Sequence, residues 1–218
     1  MESYSKIIYF ESISAIPKPN HVLARLGFRK NLTQIDLVDQ SKLEQGFKDG
    51  ILYCRPKGMA GRFKIISLQE DSVTIETGLS FQSKSLARFL KDCNELALLA
   101  STVGREVVER IGFELEQGDA AYGVILDAIA SETADAGLDW IMDFLNKILS
   151  REGKITTKNR YSPGYGDLDL SYQKAIFDLL DLSKLDLKLT EKQMLIPEKS
   201  VIAIAGIERI EADEQNSF

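Results

Sequence analysis

Apolar positions along this chain change their period from segment to segment, and each period predicts a different element. Between residues 120 and 150 they fall at Tyr122, Leu126, Ile129, Thr133, Gly137, Trp140, Phe144 and Ile148. Spacings of three and four place them on one face of a helix. At 1.5 Å per residue that helix would be about 45 Å long and form the spine of the fold. Gly118 and Asp119 interrupt the pattern just before it. Ala128, Ala130, Ala134, Ala136 and Gly137 keep its surface low enough for other backbone to pack closely. Residues 95–103 are different: a continuous apolar run with a polar end, which predicts a buried strand.

Shorter segments fill in the rest. Residues 7–10, 51–54, 63–68, 73–77, 193–196 and 201–207 predict strands. Glu70, Asp71 and Ser72 supply a polar turn between the third and fourth of these, and Pro197 to Ser200 a turn between the last two. Pro17 and Pro19 mark a loop, after which Asn20 is placed to cap a helix through Leu26, closed by Gly27. Thr33 is placed to cap a second helix, with Ile35, Leu37, Val38, Leu43 and Phe47 apolar, ending near Gly50. Ser83 or Ser85 starts a short helix through Asp92, and another follows Gly104 to about Leu115. Residues 170–182 form an amphipathic helix with Asp169 or Ser171 as its cap. Gly58-Met59-Ala60-Gly61-Arg62 reads as a hairpin or connecting loop, and residues 151–169 as a longer loop region. Hairpins and helices without regular βαβ alternation predict the α+β class, a mixed or antiparallel sheet packed with helices that include one long central one.

Composition narrows the function classes. The chain has 218 residues, 44% apolar and 28% charged, ordinary for a globular protein with a real core. A net charge of -6 argues against nucleic acid, whose phosphates need clustered Lys and Arg. No segment reaches the roughly 18 apolar residues that span a bilayer, and Glu2 and Glu11 flank too short an apolar run for a signal peptide. A soluble, cytoplasmic protein is expected. Cys54 and Cys93 make neither metal spacing nor a redox pair, and read as half-buried thiols in a reducing compartment.

His21 is the only histidine, so a Ser-His-Asp triad or a histidine-rich metal site has little to build on. It reads as a surface or capping residue. The glycines form neither a Gly-x-Gly-x-x-Gly fingerprint nor a P-loop, and no Asp-x-His-x-x-Gly corrinoid ligand sequence occurs. Asp127, Glu132 and Asp135 lie near the small-residue face of the long helix. Glu132 is able to accept from an amino group, but each alone reads as a solvated carboxylate.

One stretch differs in kind: Arg160-Tyr161-Ser162-Pro163-Gly164-Tyr165-Gly166-Asp167. Arg160 offers a planar fork for a carboxylate. Pro163-Gly164 favours a turn, type II with Gly164 at positive φ, that aims amides outward. Tyr161 and Tyr165 are suited to cover an adenine or approach a cation. Taken alone, these residues fit an ordinary Ser-Pro-Gly turn with a surface arginine slightly better.

From this loop the sequence resembles the activation (reactivation) domain of cobalamin-dependent methionine synthase. Arg160, Gly164 and Tyr165 occupy that family's Arg-x-x-x-Gly-Tyr motif for S-adenosylmethionine, with the proline before glycine also present. Downstream, Leu189-Thr190-Glu191 and Met194 through Pro197 to Ser200-Val201 are similar to the family's stretch of Leu-Thr-Glu, Met, Pro and Ser. Upstream, Gly118-Asp119 through Asp127-Ala128-Ile129 is similar to the region before its long helix. The resemblance covers residues 90–207, with a weaker echo at 21–28. A helix glutamate of some members falls at Ser131, beside Glu132, and a late tyrosine has no counterpart.

The resemblance implies an activation-domain-like region at 91–210; the N-terminal α+β portion at 1–90 carries only the weaker echo, the polar tail at 211–218 reads as frayed, and one compact domain is expected overall. It implies a stand-alone component that binds S-adenosylmethionine through Arg160, Tyr161, Gly164 and Tyr165 and supports reductive methylation of cob(II)alamin. The cobalamin would sit on a separate methionine synthase or other corrinoid protein, with a flavodoxin-like electron donor. A non-catalytic interaction module for a corrinoid protein and an independent small-molecule methyltransferase stand as alternatives. Neither nucleic acid nor membrane is an expected partner.

Overall fold

The computed structural model describes residues 7–29 and 37–210; Thr33, Ile35 and the tail at 211–218 lie outside them. At its centre is β5 (Glu95–Thr102), every residue of which is buried. Alternate residues of a strand point to opposite faces, so a run that is apolar throughout needs cover on both. Ala97 and Leu99 pack with Leu138, Ile141 and Leu145 of α5 (Ala120–Leu149). Leu96, Leu98 and Ala100 pack on the other side, in a cluster with Leu86 and Leu90 around α3 (Lys84–Phe89) and Ile176 and Leu180 of α6 (Tyr172–Leu180).

β5 pairs antiparallel with β2 (Lys57–Leu68) and with β9 (Ser200–Arg209). β3 (Ser72–Ile75) and β4 (Ser80–Gln82) continue outward from β2, and β6 (Lys154–Thr156) flanks β9. β1 (Ile7–Phe10) joins the first half of β2. All these pairings are antiparallel. β7 (Lys188–Leu189) and β8 (Leu195–Ile196) form a separate ribbon. The expected α+β architecture with one long helix is observed. The N-terminal half of α5 packs instead on α1 (Pro19–Arg25), α2 (Leu37–Tyr53) and α4 (Glu106–Gln117).

Several expected boundaries move, each for a packing reason. Residues 51–54 are not a strand, because α2 runs on to Tyr53. Gly50 does not end that helix; it lies where α2 crosses α5, and a Cβ there would strike Ile129, as one on Gly46 would strike Ile125. Gly58 to Arg62 is strand rather than loop, its glycines admitting Ile141 and Leu180 against the sheet. Asn20 lies inside α1, since Pro19 takes the first helical position and Lys18 the cap without a side-chain bond. Gly27 does follow that helix, at φ +85°. The region 151–169 contains β6, and residues 195–196 pair with β7 rather than with β9.

The stripe on α5 also drifts. Trp140 and Phe144 are only partly buried and Ile148 is exposed, while Ile141, Leu145 and Leu149 face the sheet. The helix changes partners midway, from helices to sheet, and its buried face turns with it. Both cysteines are buried rather than half-buried, and burial lifts their thiols to about 11. Among the described residues no helix is long and apolar enough to cross a membrane, and no group of side chains could hold a metal ion.

Candidate functional site

The loop after β6 is fastened before it turns. Tyr161 donates its amide to Ile204 of β9 at 2.8 Å, and Ile204 donates back at 2.7 Å. Ser162 to Tyr165 then forms the expected turn: Tyr165 donates to the Ser162 carbonyl at 3.2 Å, with Gly164 at φ +90°. Positive φ at the third residue makes it type II, a conformation that favours glycine. The amide of Gly164 is not aimed outward, because it donates to Leu168 at 2.8 Å, where a buried side chain anchors the returning chain. Among the described residues the Ser162 amide keeps no acceptor.

The two tyrosines part company. Tyr161 donates its phenol to the Tyr165 carbonyl at 3.2 Å and sets its ring 6.0 Å from Phe89, so it forms wall rather than cover. Tyr165 is 70% exposed. A cleft of about 620 Å³ opens between this loop, α5, α6 and the start of β9. Arg160, Tyr161 and Tyr165 line it with Asp135 and Leu138 of α5 and Met194 from the segment before β8. Gly164 shapes the turn without lining the cleft.

Arg160 is largely buried and ion-paired with Asp139 of α5, and its Nη1 also lies 3.6 Å from the Met142 sulfur. Asp135, one helical turn before Asp139, borders the cleft with its carboxyl half-exposed. Burial raises its pKa above the ordinary value, Glu132 adds to the rise, and Arg160 and Arg25 oppose it. The site thus sets one guanidinium among carboxylates, next to apolar surface.

A smaller hollow of about 280 Å³ shares Asp135 and is lined by His21, Glu132 and Trp140. Glu132 is not solvated as expected. Its side chain is 12% exposed because α1 lays Arg25 across it, Nε to Oε1 2.7 Å, with His21 Nδ1 at 3.6 Å. Asp127 pairs with Lys199 at 2.7 Å, and Lys199 also donates to Ser131 at 2.9 Å, tying the turn before β9 to α5. Sequence reasoning weighed Asp135 only singly and missed Asp139 and Leu138. Their spacing of three and four was the available signal; which loop they oppose depends on the tertiary fold.

No family model matches the chain, and no curated protein does. Among solved structures, the crystal structure of the MetH reactivation domain bound to AdoHcy superposes with a TM-score of 0.62. The match spans 92% of this chain and 77% of that one, at 17% identity. The fold is that of the MetH reactivation domain. The likeness is one of architecture, an antiparallel sheet with helices and one long helix. Within this reactivation-domain fold, the roles of individual residues rest on the geometry above.

Proposed function

We propose that this chain binds S-adenosylmethionine and supports reductive methylation of cob(II)alamin held by a separate corrinoid protein. The observation that carries the reading is the cleft beside Arg160, in a fold shared with a domain crystallised with AdoHcy. The residues present fit the ligand. Arg160 matches a carboxylate with its planar fork. Asp135 offers a counter-charge to an ammonium or sulfonium group, and Tyr165, Leu138 and Met194 give apolar surface for an adenine. The volume falls within the roughly 300–1,000 Å³ of pockets that enclose small ligands.

Arg160, Tyr161, Gly164 and Tyr165 are the proposed binding residues, all within 91–210. Gly164 acts through the turn and Tyr161 through the wall. When bound, S-adenosylmethionine supplies an electrophilic methyl group. The chain's own work is to hold and orient that ligand and leave its methyl open to the partner, so the cleft needs no proton relay. A flavodoxin-like protein is the proposed electron donor, and a cobalamin-binding methionine synthase the proposed partner.

Calorimetric titration of S-adenosylmethionine and S-adenosylhomocysteine tests the binding step. Binding to the wild type is expected, weakened by more than ~1 kcal/mol, about fivefold, in Arg160→Ala. Silence with the wild type would reject the ligand, and co-purification with a corrinoid protein would then favour an interaction module. The functional step is tested by adding the chain, reductant and S-adenosylmethionine to an oxidised methionine synthase that lacks its own activation domain. Recovery of the methylcobalamin absorbance is expected; none above control rejects reactivation of that partner. Methyl transfer without any cobalamin protein would support an independent methyltransferase.

A further inference from the structure

Asp167 closes the loop but turns away from the cleft, onto the first turn of α3. Its Oδ1 accepts from the Ser83 hydroxyl at 2.5 Å and the Ser85 amide at 3.2 Å, and its Oδ2 from the amides of Lys84 at 2.8 Å and Ser85 at 3.3 Å. The first amides of a helix have no partner within it. Ser83 caps α3 by accepting from Leu86 at 3.0 Å, which leaves those of Lys84 and Ser85 to be met from elsewhere. A carboxylate from a distant part of the chain meets both, and these donors, the Ser83 hydroxyl first, hold its pKa at about 2. The other end of the loop is fixed by the exchange between Tyr161 and Ile204. Gly164, Tyr165 and Gly166 between these anchors are exposed, and the two glycines, at φ +90° and +55°, add no stiffness of their own. Buried Leu168 sets how deep the returning chain lies; Asp167 sets its direction along α3.

We propose that Asp167 is a positioning residue for ligand binding: docked on α3, it places the Gly164 turn and Tyr165 at the mouth of the cleft. This inference rests on the ligand reading above. The full-length chain with Asp167→Asn or Asp167→Glu tests it by two measurements: hydrogen exchange at residues 162–168 without ligand, and calorimetric titration with S-adenosylhomocysteine. In Asp167→Asn, loop exchange should quicken at least tenfold while β5 and β9 keep their protection, and Kd should rise at least fivefold. Asp167→Glu should restore the thermal midpoint, since negative charge returns to the start of α3. It should not restore loop protection or affinity, because the extra methylene moves the loop outward. Unchanged loop exchange in both variants would overturn the proposal. So would an Asp167→Asn affinity within twofold of a wild type that binds, or full recovery of loop protection and affinity by Asp167→Glu. A wild type that binds no ligand would sink the ligand reading instead, and loop exchange would still decide whether Asp167 holds the loop.

Discussion

Asp139 is ion-paired with Arg160, so a carboxylate that binds there must share or displace it. The Asp139 side chain is 54% exposed, and ion pairs so open to solvent contribute about 0–1 kcal/mol. Asp139→Asn removes the competitor, while the contact with Met142 remains. Affinity for S-adenosylmethionine should then rise, by at most about fivefold, as read by calorimetry; weaker binding would show that Asp139 aims the guanidinium instead. At this scale the loop was legible, because turn chemistry is local: a proline followed by glycine dictates its own geometry. Its hydrogen bonds were less so. The Gly164 amide and the Tyr161 phenol look available in sequence and are taken in the fold, by Leu168 and by the Tyr165 carbonyl. Asp135 and Asp139 were illegible as partners of Arg160, since nothing in helical spacing says which loop a face will meet.

Elements meet where side chains are missing. At Gly137, α5 lies against β5 so closely that a Cβ would strike the Ser101 hydroxyl, itself fully buried and, among the described residues, without a hydrogen-bond partner. Gly137→Ala should destabilise the chain by about 1–3 kcal/mol through overpacking, with a midpoint lowered by about 2–4 °C per kcal/mol for a chain of this size. Thermal melts check this, and Gly137→Ala combined with Ser101→Ala should recover most of the loss. The same closeness explains the misread boundaries. Gly50 looks like a helix end and Gly58 and Gly61 like a loop, because glycine is the usual punctuation of a sequence. Here each marks a crossing that no local pattern encodes. Long, strongly periodic segments such as α5 and β5 were legible, because period and length agree.

Across the whole molecule, one ionic network spans the sheet. Arg62 of β2 pairs with Glu95 of β5 and with Glu152, Nη2 to Oε2 2.7 Å, and Lys154 of β6 reaches Glu95 at 2.6 Å. Burial pushes the Glu95 pKa up, but hydrogen bonds from Arg62 and Lys154 outweigh it and keep it low. Arg62 chiefly holds Glu152 at about 2. A carboxyl depressed on folding stabilises above its ordinary value, about 4.3 for Glu, and loses that effect as pH falls toward the folded value. Glu152 is 41% exposed, so its share is about 1 kcal/mol at most. The midpoint difference between wild type and Glu152→Gln should be a few degrees at neutral pH and vanish between about pH 4 and 2. A constant difference across that window would show that the charge is not what matters.

Among the described residues the last strand is β9, which pairs with β5 through Glu95 and Ile207 and supplies the Ile204 anchor for Tyr161. Contacts so remote in sequence close late in folding. A chain emerging from the ribosome would expose Arg160 and its turn well before the strand that fastens them. Binding competence would therefore arrive with β9, and ligand could trap the sheet once that strand is in place but not guide the steps before it.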